Sequence, residues 1–259
     1  MEIWHEIASE GPPVLLIHAG ICDSRMWDPQ WRTFPEAHRA VRCDLRGFGR
    51  TPLPAEPFSN ASDVVELLDL LELGAATIVG VSLGGRVALE VALARPDLVD
   101  RLVLVGSGLP GHAWSDVVLR YGEEEDAAVA RGDIDAAVEA NLRMWVDGPN
   151  RGPDEVDPNV RRFVGQMQRR ALELQVPVWE EAEEELLVPD VASRLDELRV
   201  PTLVLVGAED VADMHAIAGQ LAAGIRGARE AKIAGAAHVP SLERPEEFDR
   251  LVLPFLHGA

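Results

Sequence analysis

Gly80-Val81-Ser82-Leu83-Gly84 forms a G-x-S-x-G run, and its surroundings give it chemical meaning. The apolar run Thr77–Val81 leads into it, and the helical run LGGRVALEVALA leads out. A serine on so tight a strand-to-helix turn takes a strained backbone conformation and presents its hydroxyl. Bulky neighbours two residues away would clash, which suits Gly80 and Gly84. The following helix aims free N–H groups at the place where negative charge develops in acyl transfer. The plain alternative is a glycine-rich turn in which Ser82 only caps the next helix.

A serine hydroxyl is a weak nucleophile at neutral pH and needs an adjacent base. Gly207-Ala208-Glu209-Asp210 follows the apolar run Thr202–Val206, and Gly235-Ala236-Ala237-His238 follows the weaker run Glu230–Ile233. Three strand ends thus deliver Ser, Asp and His in that chain order. His238 is the expected general base, because an imidazole titrates near ~6.5. Asp210 is the expected acid that fixes its tautomer and stabilises the imidazolium. Glu209 and Asp213 flank it as competing carboxylates; strand-end alternation turns Glu209 away.

These residues need a scaffold that brings strand ends together. Short runs rich in Val, Ile and Leu occur at Val14–His18, Ala40–Asp44, Thr77–Val81, Arg101–Val105 and Thr202–Val206. They read as buried strands of a parallel sheet. Helical patterns lie between them: Asn60–Leu73 with Gly74 as its stop, Leu83–Arg95, His215–Ala223, and Glu246–Leu256 interrupted by Pro254. Alternating strand and helix predicts a doubly wound α/β sheet. Between about 111 and 198 the strand pattern stops. Helices are expected at Trp114–Arg131, Ile134–Val146, Pro158–Leu174 and Val191–Leu198, with Asp133 as an N-cap. This divides the chain into a core of residues 1–110 and 199–259 and an inserted helical cap of residues 111–198. Such a cap would cover the C-terminal edge of the sheet, where these folds bind ligands.

The marks His18-Ala19-Gly20, Asp44-Leu45-Arg46-Gly47-Phe48-Gly49-Arg50-Thr51, GVSLGG, GAED and GAAHVPSLERPEEF together resemble the α/β-hydrolase superfamily over nearly the whole chain. Within it the chain is similar to capped esterases and lactonases, such as 3-oxoadipate enol-lactonases and pimeloyl-carrier-protein methyl ester esterases. The resemblance implies an oxyanion hole made by the backbone N–H groups of Leu83 and Gly20. Ala19 stands where the family more often has Gly, which is tolerable if its φ stays negative. Relatives usually begin with a longer hairpin, so about seven strands are expected, with the first truncated. Arg46 is expected to be a buried hydrogen-bonding residue, and His18 to tie down the oxyanion loop.

Candidate pocket residues are Ile21, Cys22, Arg25, Trp27, Trp145 and Val239. Ser24 is a candidate cap for a short helix. Cys22 reads as a bystander thiol, since no base is assigned to it. Trp114, Met144, Met167 and Trp179 are further apolar candidates in the cap. His5, His38, His112, His215 and His257 read as surface residues. No metal-ligand spacing is present among the seven histidines and two cysteines, and no cofactor is expected.

Composition narrows the function classes. Hydrophobic residues make up 47% and charged residues 26%, as in an ordinary soluble protein. A formal charge of -20 argues against nucleic acid and anionic membranes as partners. Met1–Glu10 lacks a basic start and an apolar stretch, no run reaches membrane-span length, and Cys22 and Cys43 make no disulfide framework, so a cytoplasmic monomer or homodimer is expected. Serine at the elbow favours acyl chemistry, and the leading expectation is hydrolysis of a small ester or lactone. A C–C bond hydrolase, a carrier-dependent thioesterase using Arg161, Arg162, Arg169 and Arg170, and a ligand receptor with a retained triad are the alternatives.

Overall fold

The computed structural model describes residues 2–258. Seven strands form one sheet: β1 (His5–Ala8), β2 (Pro13–Ile17), β3 (Arg39–Cys43), β4 (Ala76–Val81), β5 (Val99–Val105), β6 (Thr202–Gly207) and β7 (Arg229–Ile233). Their spatial order is β1-β3-β2-β4-β5-β6-β7. Only β1 runs antiparallel, pairing His5 with Cys43 and Ala8 with Ala40. All other pairs are parallel. The α/β-hydrolase fold with seven strands and a short first strand is therefore observed.

The helices are α1 (Gln30–Thr33), α2 (Asn60–Leu70), α3 (Leu83–Ala94), α4 (Asp116–Ala130), α5 (Ile134–Asn141), α6 (Pro158–Gln175), α7 (Ala212–Gly224), α8 (Pro240–Glu243) and α9 (Pro245–Leu256). Strand residues alternate between two apolar layers. Leu15, Ile17, Ile78, Leu102, Leu104 and Val204 pack with α2, α3 and α7. Val14, Leu16, Val79, Val103 and Leu205 pack on the other face with Trp27, Phe34 and Phe248, the last from α9. Both faces of β4 are buried along its whole length, as the unbroken apolar run requires. Among the described residues no helix is long and apolar enough to cross a membrane.

Three helices, α4 to α6, lie between β5 and β6. Asp133 caps α5 by accepting the Ala136 N–H at 3.1 Å. Ile134–Val146 is not one regular helix: α5 stops at Asn141, and Leu142–Asp147 continue as a π-turn. Val191–Leu198 forms two short 3₁₀ turns instead of a helix. Pro254 does not interrupt α9, which runs through it.

The chain leaves and re-enters the core at two fastened points. On the way out, Asp213 of α7 accepts Ser115 N–H at 2.8 Å, Ser115 Oγ–H at 2.7 Å, and a 3.3 Å contact from His112 Nε2. On the way back, Arg86 of α3 bridges Glu90 and Glu184, each at 2.6 Å. Glu184 also accepts Asn60 Nδ2–H at 2.7 Å. Phe58 pairs with the same returning strap, donating to Glu183 O and accepting from Glu185 N–H.

Candidate active site

Ser82 sits between β4 and α3 with φ 54° and ψ −111°. That is left-handed backbone, costly for a residue with a Cβ. The strain is held from several sides. Ser82 N–H donates to Val105 O at 2.9 Å, and Gly108 N–H donates to Ser82 O at 3.0 Å. The flanking glycines are obligatory. A Cβ on Gly80 would lie 2.3 Å from Gly84 O, and one on Gly84 would lie 2.4 Å from Ile17 O. Ser82 occupies the N-cap position of α3, yet its side chain makes no capping hydrogen bond. The capping alternative therefore fails, and the half-buried hydroxyl is left for other use.

Asp210 follows β6 and His238 follows β7. His238 Nδ1 and Asp210 Oδ2 are 2.8 Å apart, with both side chains almost wholly buried. Asp210 Oδ1 accepts Val211 N–H at 2.9 Å, which fixes the carboxylate's orientation. Of the competing carboxylates, Asp213 is occupied by Ser115 and His112. Glu209 lends its backbone N–H to Ala236 O at 2.9 Å, tying the two loops together. A Cβ placed on Gly106, just beyond β5, would lie 3.1 Å from His238 Nδ1 and 3.3 Å from Asp210 Oδ2. The residue before it, Val105, holds the Ser82 amide. Gly106 thus marks where the serine turn and the His–Asp pair meet. No hydrogen bond among the described residues joins Ser82 Oγ to His238.

The loop after β2 lies against the serine turn. Gly84 N–H donates to His18 O at 3.1 Å, and the Cβ position of Gly20 is 3.7 Å from Leu83 Cβ. His18 does tie this loop down. Its Nε2 accepts Leu45 N–H at 3.0 Å, so Nδ1 carries the proton and donates to Ala19 O at 2.8 Å. Burial, the largest influence, lowers the His18 pKa and keeps that neutral tautomer. Ala19 is not among the residues with positive φ, so its methyl group is accommodated.

Among the nominated pocket residues, Cys22, Trp27 and Val239 have no exposure and Ile21 has 6%. Burial pushes the Cys22 thiol well up, which leaves it a protonated bystander. Trp27 packs on Phe248, with ring centroids 6.1 Å apart. Arg25 pairs with Asp23 at 2.7 Å. Asp23, not Ser24, caps the short turn that follows, because its carboxylate is better placed to accept Arg25 N–H at 3.0 Å. Trp145 is the residue that reaches the site: its ring lies 4.4 Å from the His238 ring. A cavity of about 300 Å³ opens beside Leu83, lined by Phe48, Leu53, Phe58, Asn60, Trp179 and Glu184 among others. None of the six nominated residues lines it. Met167 is buried inside the inserted helices, whereas Trp114 is exposed.

Two histidines read as surface residues are not. His38 is 2% exposed, stacked on His257 at 5.1 Å. The His112 side chain is 9% exposed against Asp213. Arg46 is buried and bonds Asp63 and Asn60, as expected. Three of the four arginines of α6 are ion-paired, and the fourth, Arg162, donates to Asn159 Oδ1 at 3.0 Å. Arg161 pairs with Asp147 and Glu139, Arg169 with Asp135, and Arg170 with Glu173. Among the described residues no group of three His, Cys, Asp or Glu could hold a metal ion.

Sequence reasoning missed Gly106, Gly148 and Gly207. Each carries a backbone approach that a Cβ would block or crowd: His238 for Gly106, Glu209 O at 2.3 Å for Gly148, and Ala237 O at 1.9 Å for Gly207. The signal was a glycine directly after β5 and another as the last residue of β6; Gly148 had none.

The sequence profile described as Alpha/beta hydrolase family matches residues 14–251. A relative from Variovorax paradoxus (strain S110), named "Putative carbamate hydrolase RutD", is 30% identical over 96% of this chain and 92% of its own length. The pimeloyl-[acyl-carrier protein] methyl ester esterase of Nitrosospira multiformis is 27% identical, covering 98% of each chain. A solved structure titled "Est816 as an N-Acyl homoserine lactone degrading enzyme" superposes with a TM-score of 0.77 at 26% identity, covering 98% of this chain and 96% of the other.

Proposed function

Because the chain belongs to the Alpha/beta hydrolase family, we propose that it is a serine hydrolase that cleaves a carboxylic ester or lactone through an acyl-enzyme. Ser82 is the nucleophile, His238 the base and Asp210 the orienting acid. The observation that carries this reading is the 2.8 Å contact between His238 Nδ1 and Asp210 Oδ2 at the strand ends beside a strained, uncapped Ser82. With Nδ1 protonated and facing Asp210, Nε2 is the nitrogen free to take a proton. Ser82 Oγ attacks the carbonyl carbon as His238 takes its proton. The tetrahedral oxyanion is held by the N–H groups of Leu83 and Gly20. Collapse expels the alcohol, which receives the proton from His238, and water repeats the sequence to release the acid. In a lactone the alcohol stays tethered to the acyl chain.

Residues 111–198 act as a cap over this edge, and the cavity beside Leu83 is the proposed acyl or alcohol pocket. Six of its ten lining residues are apolar; the polar ones are Asn60, Gln175, Arg46, which pairs with Asp63, and Glu184, which pairs with Arg86. That suits an uncharged substrate of modest size. Names among the relatives, a carbamate hydrolase, a methyl ester esterase and a lactone-degrading enzyme, share attack on a carbonyl carbon bearing an oxygen or nitrogen leaving group.

A panel of p-nitrophenyl esters, small lactones and carbamates tests the proposal. Multiple turnovers are expected on at least one ester or lactone, with Ser82→Ala and His238→Ala each losing about a thousandfold or more in kcat. Retention of turnover in Ser82→Ala contradicts it. A single slow turnover would instead indicate a ligand receptor.

A further inference from the structure

The π-turn Leu142–Asp147 and the loop carrying His238 are joined by a set of contacts that the chemistry above does not use. His238 N–H donates to Trp145 O at 3.1 Å, across 93 positions of sequence. The Trp145 ring covers the His238 ring at 4.4 Å with an interplanar angle of 38°. Gly148 ends the π-turn with φ 76°, so close to the acid loop that only a glycine fits against Glu209 O. A π-turn leaves carbonyls without helical partners at its end.

Arg151 takes those carbonyls. Its Nε donates to Asp147 O at 2.8 Å and its Nη2 to Val146 O at 2.7 Å. The same guanidinium faces the histidine loop. Nη1 donates to Gly235 O at 3.3 Å, and Nη2 pairs with Glu243 Oε2 at 2.9 Å. Glu243 Oε1 in turn accepts Ala237 N–H at 2.8 Å, one residue before His238. The Arg151 side chain is 12% exposed and that of Glu243 4%. One planar fork therefore holds the end of the π-turn and both sides of the loop that carries the base.

From these contacts we propose that Arg151 is a positioning residue for His238, acting through Gly235, Glu243 and the π-turn, and that the inserted segment at residues 145–151 is a fixed brace of the catalytic loop. The inference rests on the serine-hydrolase reading. It goes beyond it by assigning a part of the insertion to the placement of the base instead of to substrate contact. Displacement of an imidazole by a few tenths of an ångström acts on the chemical step and leaves binding of a small ester nearly unchanged.

The test compares Arg151→Ala with Arg161→Ala. Arg161 fastens the same π-turn through Asp147, but its other partner, Glu139, lies in α5, and among the described residues none of its side-chain hydrogen bonds or ion pairs reaches residues 235–243. Steady-state hydrolysis of p-nitrophenyl acetate gives kcat and KM, and a fluorophosphonate gives the rate of modification at Ser82. Arg151→Ala should lower kcat and the modification rate by about tenfold or more, with KM within about threefold, while Arg161→Ala stays within about threefold in all three. Arg151→Lys keeps a cation beside Glu243 without the fork, so its kcat should fall between wild type and Ala; it carries the comparison if Arg151→Ala does not fold. Equal losses in the Arg151 and Arg161 variants, or an unchanged kcat in the Arg151 variants, would overturn the proposal and leave the triad intact. A wild-type protein that neither turns over nor is modified at Ser82 would overturn both.

Discussion

At residue 82 the chain spends conformational strain where a hydroxyl must be presented. A non-glycine φ of 54° survives because its neighbours over-determine it: Val105 and Gly108 grip the backbone, and Gly80 and Gly84 remove every competing Cβ. The strand-end positions of Ser82, Asp210 and His238, and the meeting of the last two, were legible because each follows an apolar run, and the roles proposed for them rest on their side-chain chemistry. Gly106 was not legible, because its contribution is the absence of a side chain. A methyl group there would meet the His238 ring at 3.1–3.3 Å on a backbone with φ 46°. Gly106→Ala is therefore expected to cost roughly 1 kcal/mol or more in stability and to lower kcat by tilting the imidazole. Urea unfolding and kcat measured on the same preparation check both. Asp210→Asn should keep the fold and lower kcat by about 10³–10⁴, because the amide no longer selects the Nδ1–H tautomer. An Asp210→Asn enzyme with near-normal kcat would remove Asp210 from its assigned role.

Elements were legible where periodicity and punctuation agree. Apolar runs of five residues became β2, β4, β5 and β6, strands of five to seven residues. The π-turn was not legible, since its apolar spacing over Leu142–Asp147 continues that of α5 and only the hydrogen-bond pattern changes. His112 was misread for a related reason: nothing in the local sequence shows that Asp213, 101 positions away, comes to meet it. That anchor has a defined pH dependence. Burial pushes the Asp213 carboxyl up, but the Ser115 hydroxyl and amide, with His112, more than offset this and hold it below its ordinary value. A carboxyl lowered on folding contributes stability that is present above its unfolded pKa, near ~4, and is lost as pH falls through the lower folded value. Asp213→Asn should therefore cost on the order of 1.5–3 kcal/mol at pH 7, with the gap to wild type narrowing below about pH 4. Thermal unfolding across that pH range measures it, and a gap independent of pH would contradict the assignment.

Over the whole molecule, the sheet order follows from connection rules, whereas the path of the insertion does not. Parallel strands joined by helices leave few topologies, so a seven-stranded sheet with its reactive residues on one edge could be expected. The path between β5 and β6 is fastened by paired side chains from distant parts of the chain, such as Arg86 with Glu184 and Arg151 with Glu243. The formal charge of -20 acts at this scale too. It repels anionic substrates, and salt screens that repulsion over about 10 Å at 0.1 M. The ratio of kcat/KM for an anionic ester to that for a neutral ester of equal size should rise as salt is raised from 10 to 150 mM, values chosen to span that screening range. A ratio that falls would point to a local cationic site for the substrate's charge.

The claim on which the rest depends is that the Ser82 hydroxyl is an activated nucleophile served by His238. Incubation with a fluorophosphonate, followed by peptide mass spectrometry, tests it most directly. A single adduct on Ser82 is expected, formed far more slowly in His238→Ala and absent in Ser82→Ala. Modification of another residue, or labelling of Ser82 at the same rate without the imidazole, would contradict it.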